Sequence, residues 1–591
     1  MFYKPSIIRQ ICLFTGVITG FFIISCSGGA SRRSHEPAKG NRVYGGTFTI
    51  SETDDYQTLY PIALADAVSS FLANQIYEGL VKFSVNDLSV NPGIAEKWEI
   101  DPSGTTYTFH LKKGVYFHDD ECFPDGKGRE LKASDVKYSF ELLCSQSPDN
   151  VNFASSFKNN VKGAVEYYEA SAKGKPASGL EGVKVIDDYT VQIILQVPST
   201  SFLYILASPI ASIVPKEGVE KYGNELHVGT GPFMFGVNDK KAGNVVLLRN
   251  PNYHGVDSLG NQLPFVDSLV MKILGTKSAQ LEAFEKGEVD VVLGLPSESV
   301  RSLVEKQIEQ FKNKTVGYIL ERTPEMASNY YEFNLTRPPF DDVRVRKAFS
   351  YAINRNKIID DVLKGEAYGP GIYGVSPPSF KEYDITKVKG YDYNPDMANK
   401  LFYESGYKDK KTFPVVKVVL NSGGAKNTKV ALEIQKQLMD VLGIRVDFEV
   451  KTLAQKLEDA KYARADILRA GWLADYPNPE SFLWMFYGAP VPESLDKPSF
   501  PNTTRYKNPE FDKLFEKGRT ARTRDESYMY FAQAEQVMMN DAPIMMLWYD
   551  ENYRLIKSRV KRLPANPIRY RDCSEVYLQD TAPAIADTEK K

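Results

Sequence analysis

One stretch of this chain is long and apolar enough to enter a bilayer, and it stands at the start. Lys4 and Arg9 precede a run from Gln10 to Ser25 that carries no charge and is rich in Ile, Leu, Phe and Val. A basic start, an apolar run and a small residue before the break are the parts of a secretory signal. A short transmembrane helix is the other reading, but no stop-transfer pattern follows. No later segment is apolar over the ~20 residues that a span needs. Everything after the signal is therefore expected to fold in water, outside the cytoplasmic membrane.

The run ends at Ile23-Ile24-Ser25-Cys26, which resembles a bacterial lipobox. The expected signal is 1–25, with cleavage after Ser25 and acylation of Cys26. Lipid on Cys26 would hold the chain at the periplasmic face of a membrane. Residues 26–42 are small, polar and Gly/Pro-bearing. They read as a flexible tether, because such composition buries too little surface to order itself. Cys122, Cys144 and Cys573 remain in the mature chain. Export permits a disulfide. Cys122–Cys144 is the candidate pair, and free buried thiols are the alternative.

At 591 residues the chain is too long for one compact core, so two or three domains are expected. The net charge of −2 gives no reason to expect nucleic acid or an anionic surface as partner. No feature calls for a second copy, and a monomer is expected. Strand and helix patterns alternate. Trp98–Ile100 and Thr106–Leu111 flank the turn Asp101-Pro102-Ser103-Gly104, a hairpin signal. Ser70–Lys82 reads as a helix, as does 134–143 with Ser134 as its cap. Val345, Ala348, Phe349, Ala352 and Ile353 lie on one face of a helix over 342–354, whose start Asp341 and Asp342 favour. Val415–Leu420, Val430–Leu442 and Ile444–Val450 run strand, helix, strand. This alternation argues for α/β lobes.

The chemistry of most enzyme classes is missing from the sequence. Its five histidines stand in no zinc-binding frame, so no metal and no other cofactor is expected. His118-Asp119-Asp120 reads as a solvated loop. There is no G-x-S-x-G elbow and no phosphate-binding loop. An exported hydrolase is thus disfavoured.

Several segments gain meaning together. Asn91-Pro92-Gly93-Ile94-Ala95-Glu96-Lys97-Trp98 leads into the hairpin, and Leu111-Lys112-Lys113-Gly114-Val115-Tyr116-Phe117-His118-Asp119 follows it. Ala133-Ser134-Asp135-Val136-Lys137-Tyr138-Ser139, Gly229-Thr230-Gly231-Pro232-Phe233 and Asn250-Pro251-Asn252-Tyr253 come next. Then stand Pro339-Phe340-Asp341-Asp342-Val343-Arg344-Val345-Arg346-Lys347-Ala348, Gly471-Trp472-Leu473-Ala474-Asp475-Tyr476-Pro477 and Ala542-Pro543-Ile544. In this order, from about residue 45 to 570, they resemble extracellular solute-binding proteins of family 5, the peptide/nickel class. The nearest likeness is to periplasmic oligopeptide-binding proteins.

The resemblance implies an α/β, bilobed periplasmic-binding-protein-like fold of the type II, cluster C form. Two hinge strands would join the lobes, near Tyr330–Phe333 and Leu547–Tyr549. The first lobe would comprise 43–80, 187–328 and 551–591. An extra subdomain would take 81–186, and the second lobe 329–550. The implied function is capture of short peptides for an ABC importer whose permease and ATPase subunits are separate chains. A non-peptide solute such as a sugar or nickel chelate is the alternative.

Enclosing a peptide strips water from both of its charged ends, so each end needs a partner of opposite charge. The resemblance places Asp475 on the ligand amine and Arg469 on a carboxylate, with Lys426 as a second basic contact. Trp472 and Tyr476 would wall the cleft. Asp66 is a candidate for supporting the amine. The segment Glu449-Val450-Lys451 lacks a Trp that relatives often carry.

Overall fold

The computed structural model describes residues 36–579 apart from Lys175, Ala177, Lys314, Lys381, Lys408, Asp409, Gly423 and Gly424. The expected signal, Cys26 and the first part of the tether lie outside the described residues.

Eleven strands form the main sheet. Numbered along the chain they are β1 (Thr47–Glu52), β2 (Phe233–Asp239), β3 (Asn244–Arg249), β4 (Ser268–Ile273), β5 (Val291–Leu293), β6 (Tyr318–Phe333), β7 (Gly369–Pro370), β8 (Val416–Asn421), β9 (Val446–Lys451), β10 (Ile467–Leu473) and β11 (Ile544–Lys557). Their order is β2-β3-β4-β1-β5-β11-β6-β10-β8-β9, with β7 added beside β11. Strand β1 is parallel to both β4 and β5, and β8 is parallel to both β9 and β10. Between these blocks run β6 and β11, antiparallel from Tyr318 opposite Lys557 to Glu332 opposite Ile544. The fold is thus bilobed, two α/β lobes joined by two strands.

The two long strands differ along their length for a sequence reason. From Met326 to Tyr331 every residue of β6 is buried, as a strand covered on both faces demands. Before that, Arg322 pairs with Glu551 and Glu321 with Arg554 across the ladder. The register shifts between Pro324 and Ser328, because Pro324 has no N–H to offer the ladder.

Two large clusters fill the core. In one, Phe48, Ile50, Leu72, Ile76, Phe233 and Leu269 are buried together with Phe482, Phe515 and Phe531 from the later part of the chain. Val345, Ala348, Phe349, Ala352 and Ile353 pack against Val418, Leu420 and Leu438 in the other. The helix expected over 342–354 is Val343–Ala352, and Asp342 caps it through the Arg344 N–H. Strand β4 leads into the helix Lys277–Glu285 and then β5, and β8 leads into the helix Ala425–Leu442 and then β9. Both helices therefore begin at the carboxyl edge of parallel strands, where α/β sheets receive ligands.

A separate sheet orders Ala95–Ile100, Thr106–Leu111, Thr190–Ile194 and Val183–Asp187. The expected hairpin is present, with Asp101 Oδ1 accepting from the N–H groups of Thr105 and Thr106 at 3.0 and 2.9 Å. The sheet continues past residue 186, because Thr190–Ile194 pairs on both sides within it.

Several expectations need correction. The helix expected over 70–82 is Ala67–Ile76, capped by Asp66, and Val81–Phe83 is a strand. Ser134 is not the cap of its helix: Ala133 opens it, and Asp135 accepts from the Lys132 N–H at 2.8 Å. His118 is buried, not solvated. Its Nε2 donates to the Gly231 carbonyl at 3.0 Å and its Nδ1 accepts from the Gly229 N–H at 3.3 Å, while burial lowers its pKa to about 4. The disulfide considered for Cys122 and Cys144 is absent, and both thiols are free. Cys144 ends the helix Ala133–Leu143 inside the core, whereas Cys122 sits in a turn whose N–H donates to Asp120.

From residue 36 onward the tether reading also fails. Glu36–Ala38 pairs with Arg42–Tyr44. Arg42 forms a buried ion pair with Asp257, and the Lys39 N–H donates to Asn261 at 2.9 Å. We predict that Arg42→Ala, by leaving Asp257 buried without its cation, destabilises the protein by about 3 kcal/mol in denaturant titration. A free tether would leave the midpoint unchanged.

Candidate functional site

Strand β10 organises the candidate residues, with one cluster near its middle and a second just past its end. Arg469 lies opposite Tyr331 and Gly471 opposite Asn329 in the ladder with β6. The Arg469 guanidinium donates to Asn329 Oδ1 at 3.0 Å and to Asn421 Oδ1 at 3.5 Å. Asn329 in turn donates to Asp550 Oδ2 at 2.6 Å, and the Trp548 indole donates to Asp550 Oδ1 at 2.7 Å. The Lys426 ammonium stands 5.7 Å from the Trp548 ring centre, a cation–π contact. One connected network therefore joins Arg469 and Lys426 through Asn329, Asp550 and Trp548. Beneath it, Lys456 donates to the Arg469 carbonyl at 2.8 Å, and burial lowers its pKa to about 8.

Past the end of β10, Ser481 gathers the second cluster. Its hydroxyl accepts from the Asp475 N–H at 3.1 Å and from the Trp472 indole at 3.4 Å. Asp475 is reachable by water, yet protein crowds around it closely enough that desolvation raises its pKa from 3.8 to about 6. No cation pairs with Asp475 among the described residues. Tyr476 stacks on Tyr204 of the short helix Phe202–Ala207, centroids 6.2 Å apart and planes at 10°. The Thr200 N–H also donates to the Arg519 carbonyl at 3.3 Å. Segments near 200 and near 476–527 thus meet beside Asp475.

Asn329, Asp550, Trp548 and Tyr204 were not singled out as site residues from sequence. Asn329 and Asp550 carry the one available signal, a polar side chain beside an otherwise apolar strand run. Asp66 caps the helix Ala67–Ile76, its Oδ1 accepting from the Ser69 N–H at 2.8 Å. A cavity of about 20 Å³ lined by Glu78, Lys82, Tyr253, Tyr570 and Asp572 has room for a single water. Its charges satisfy one another, Glu78 with His254 and Lys82 with Asp572. Among the described residues no group of three or more His, Cys, Asp or Glu could hold a metal.

Two lobes sharing two long strands, with helix starts facing the carboxyl edges of both parallel blocks, define a two-lobed solute-binding fold. Residues 89–492 match the family described as "Bacterial extracellular solute-binding proteins, family 5 Middle", and the chain belongs to that family. It is 27% identical over 502 residues to the dipeptide-binding protein of Escherichia coli, covering 83% of this chain and 87% of that protein. It is 27% identical over 570 residues to the periplasmic oligopeptide-binding protein OppA of Salmonella typhimurium, covering 93% and 95%. The fold matches the periplasmic binding protein DppA of Helicobacter pylori in complex with the peptide STSA, with TM-score 0.73 and 24% identity over 91% of this chain and 99% of that one.

The raised pKa of Asp475 has a consequence for stability. Its folded carboxyl holds a proton that the unfolded one releases near 3.8, so stability falls as pH rises from about 4 to about 6. Asp475→Asn is expected to melt higher than the parent at pH 7.5 without ligand. The gap should close below about pH 4 in thermal scans across this range.

Proposed function

We propose that this protein captures short peptides between two closing lobes and delivers them to the permease of an ABC importer. The observation that carries the reading is Asp475, a carboxylate crowded by protein with no cation against it. Such a group favours an ammonium ligand, and a peptide's amino terminus supplies one. In this reading Arg469, oriented by Asn329 and Asn421, receives the ligand's carboxylate, with Lys426 beside it. Trp472 and Tyr476 form the wall around the amine. The peptide backbone is held by strand-like hydrogen bonds, which leaves side-chain choice broad.

Closure turns on β6 and β11, with hinge segments near Tyr330–Phe333 and Leu547–Tyr549. The first lobe is assigned 43–80, 195–328 and 551–591, the second 329–550, and the extra subdomain 81–194, extended past 186 to take in the strand Thr190–Ile194. Export through the 1–25 signal and lipid on Cys26 keep the receptor at the membrane, close to its permease. No helix among the described residues is long and apolar enough to cross a membrane. We assign the protein no catalysis.

Thermal unfolding with di- to pentapeptides tests the reading, since a ligand that binds only the folded state raises the melting temperature by mass action. Free peptides should stabilise, and N-acetylated versions should not. Asp475→Ala is expected to weaken peptide binding about 100-fold while the unliganded melting temperature does not fall. Equal stabilisation by free and acetylated peptides, or by neither, would sink the amine anchor. A sugar carries no ammonium, so stabilisation by sugars alone would replace the peptide reading.

A further inference from the structure

The chain enters the fold at a fixed point. Glu36–Ala38 pairs with Arg42–Tyr44, and Arg42 is locked to the buried Asp257. Tyr44 packs on Phe265, ring centroids 5.1 Å apart, and Phe265 on Tyr577 at 5.7 Å. The Gly45 N–H donates to the Phe265 carbonyl at 2.8 Å, and the Asp267 N–H to the Gly46 carbonyl at 2.9 Å. These contacts lie just before β1 and β4, at the amino ends of parallel strands. The outer end of the hinge pair is there too. Val560–Lys561 pairs with Tyr577–Leu578, and the Ser558 N–H donates to the Gly317 carbonyl at 3.0 Å, next to the first residue of β6. From this end β6 runs into the second lobe. The hairpin therefore sits at the base of the first lobe, the pole opposite the second lobe.

A loop stands beside the hairpin and is held in one shape. Asp257 Oδ1 accepts from the N–H groups of Leu259 and Asn261 at 2.9 and 2.8 Å. Leu259 lies so close over Gly40 that a Cβ there would meet its Cδ1 at 2.3 Å. Even so, Leu259 is 44% exposed and Val256 is 59% exposed. Lys39 is exposed beside them, as is Glu36. Single exposed aliphatic residues are ordinary. What sets this pair apart is the chain that leads to it. Residues 27–35 are all that separate Cys26 from Glu36, ten Cα steps that extend to at most about 35 Å. Arg32 and Arg33 stand among them, and anionic headgroups attract both. With lipid on Cys26 the base cannot leave the bilayer by more than that span. A weak contact is then favoured by the high local concentration that a short link imposes.

We propose that the base of the first lobe rests on the lipid surface of the membrane that holds Cys26, with Val256 and Leu259 in the interface and Lys39 among the headgroups. This rests on the lipid anchor of the proposed function. Aliphatic side chains enter the headgroup boundary and a lysine stays at its polar side, the arrangement that interfacial contacts use. The main sheet then stands on end. The second lobe is outermost, and its closing movement is not obstructed by the bilayer.

Spin labelling of the full mature, lipidated chain tests it, in vesicles of about three parts phosphatidylcholine to one of phosphatidylglycerol. One label is placed by Val256→Cys. A control is placed by Val415→Cys, 64% exposed in the parent and just before β8 at the other pole. Both carry Cys122→Ser, so that the buried Cys144 and Cys573 are the only other thiols. Compared with the unlipidated chain in solution, the first label should lose access to a water-soluble nickel reagent about fivefold, and the control should lose none. Leu259→Asp, its folding checked by a melting curve, should restore most of that access. If the first label is as accessible in vesicles as in solution, the base contact is wrong, and the anchor and the peptide reading stand. If it is already shielded in solution, or more shielded as the protein-to-lipid ratio rises, the chain's own residues or a second copy cover the loop, and the proposal is overturned. If the chain does not sediment with vesicles at all, the anchor on Cys26 falls and the base contact falls with it.

Discussion

The antiparallel pairing of β6 with β11 is the constraint on which the molecule depends. These strands are 16 and 14 residues long and are the route by which the main sheet passes from one lobe to the other. Every neighbour inherits its position from them. Strand β5 sits on β11 and β10 sits on β6, so the two parallel blocks are carried by a shared pair. The pairing also sets the site, because Asn329 and Trp548 face each other in register at its middle. A two-strand connection keeps the lobes aligned along the sheet and still leaves a narrow band that can twist. The register shifts between Pro324 and Tyr330 interrupt the regular ladder just beside that band.

Local pattern made some of this legible. The helix after Asp342, the hairpin around Asp101 and the strand–helix–strand run from 415 to 450 each follow from periodicity and turn chemistry within a dozen or so residues. The full extent of β6 and β11 does not. Glu321, Arg322, Glu551 and Arg554 break the apolar pattern, and they read as strand only once their cross-strand partners, more than two hundred residues away, are known. Arg42 is the same case. Its environment is set by Asp257, so composition alone made residues 36–42 look like tether. Val81 and Lys82 continue a helical spacing but are claimed by the strand Val90–Pro92. Tertiary pairing overrode local preference in each instance.

The candidate site shows a similar division. Asp475 and Arg469 emerged from an ordered set of motifs and not from any local property, since a carboxylate before a proline ordinarily caps a turn. The structure places both residues on one strand and its extension. It adds Asn329 and Asp550, which orient the Arg469 guanidinium and the Trp548 ring through side-chain hydrogen bonds that no sequence spacing encodes.

Charge in the cleft connects binding to motion. Desolvation pushes Asp475 up, so crowding there disfavours its ionised form. The carboxylate keeps its charge more readily when a cation enters beside it. A ligand that carries an ammonium therefore relieves that penalty, whereas a neutral solute does not. Contacts independent of any charged ligand, such as Tyr476 stacked on Tyr204, draw the same segments together. In the proposed reading, the balance between that stacking and the unrelieved charge sets how far the unliganded cleft closes. A ligand shifts it only by the difference in its affinity for the two states. In the proposed reading, a zwitterionic peptide gains most of that difference at the charged groups that line the closed cleft.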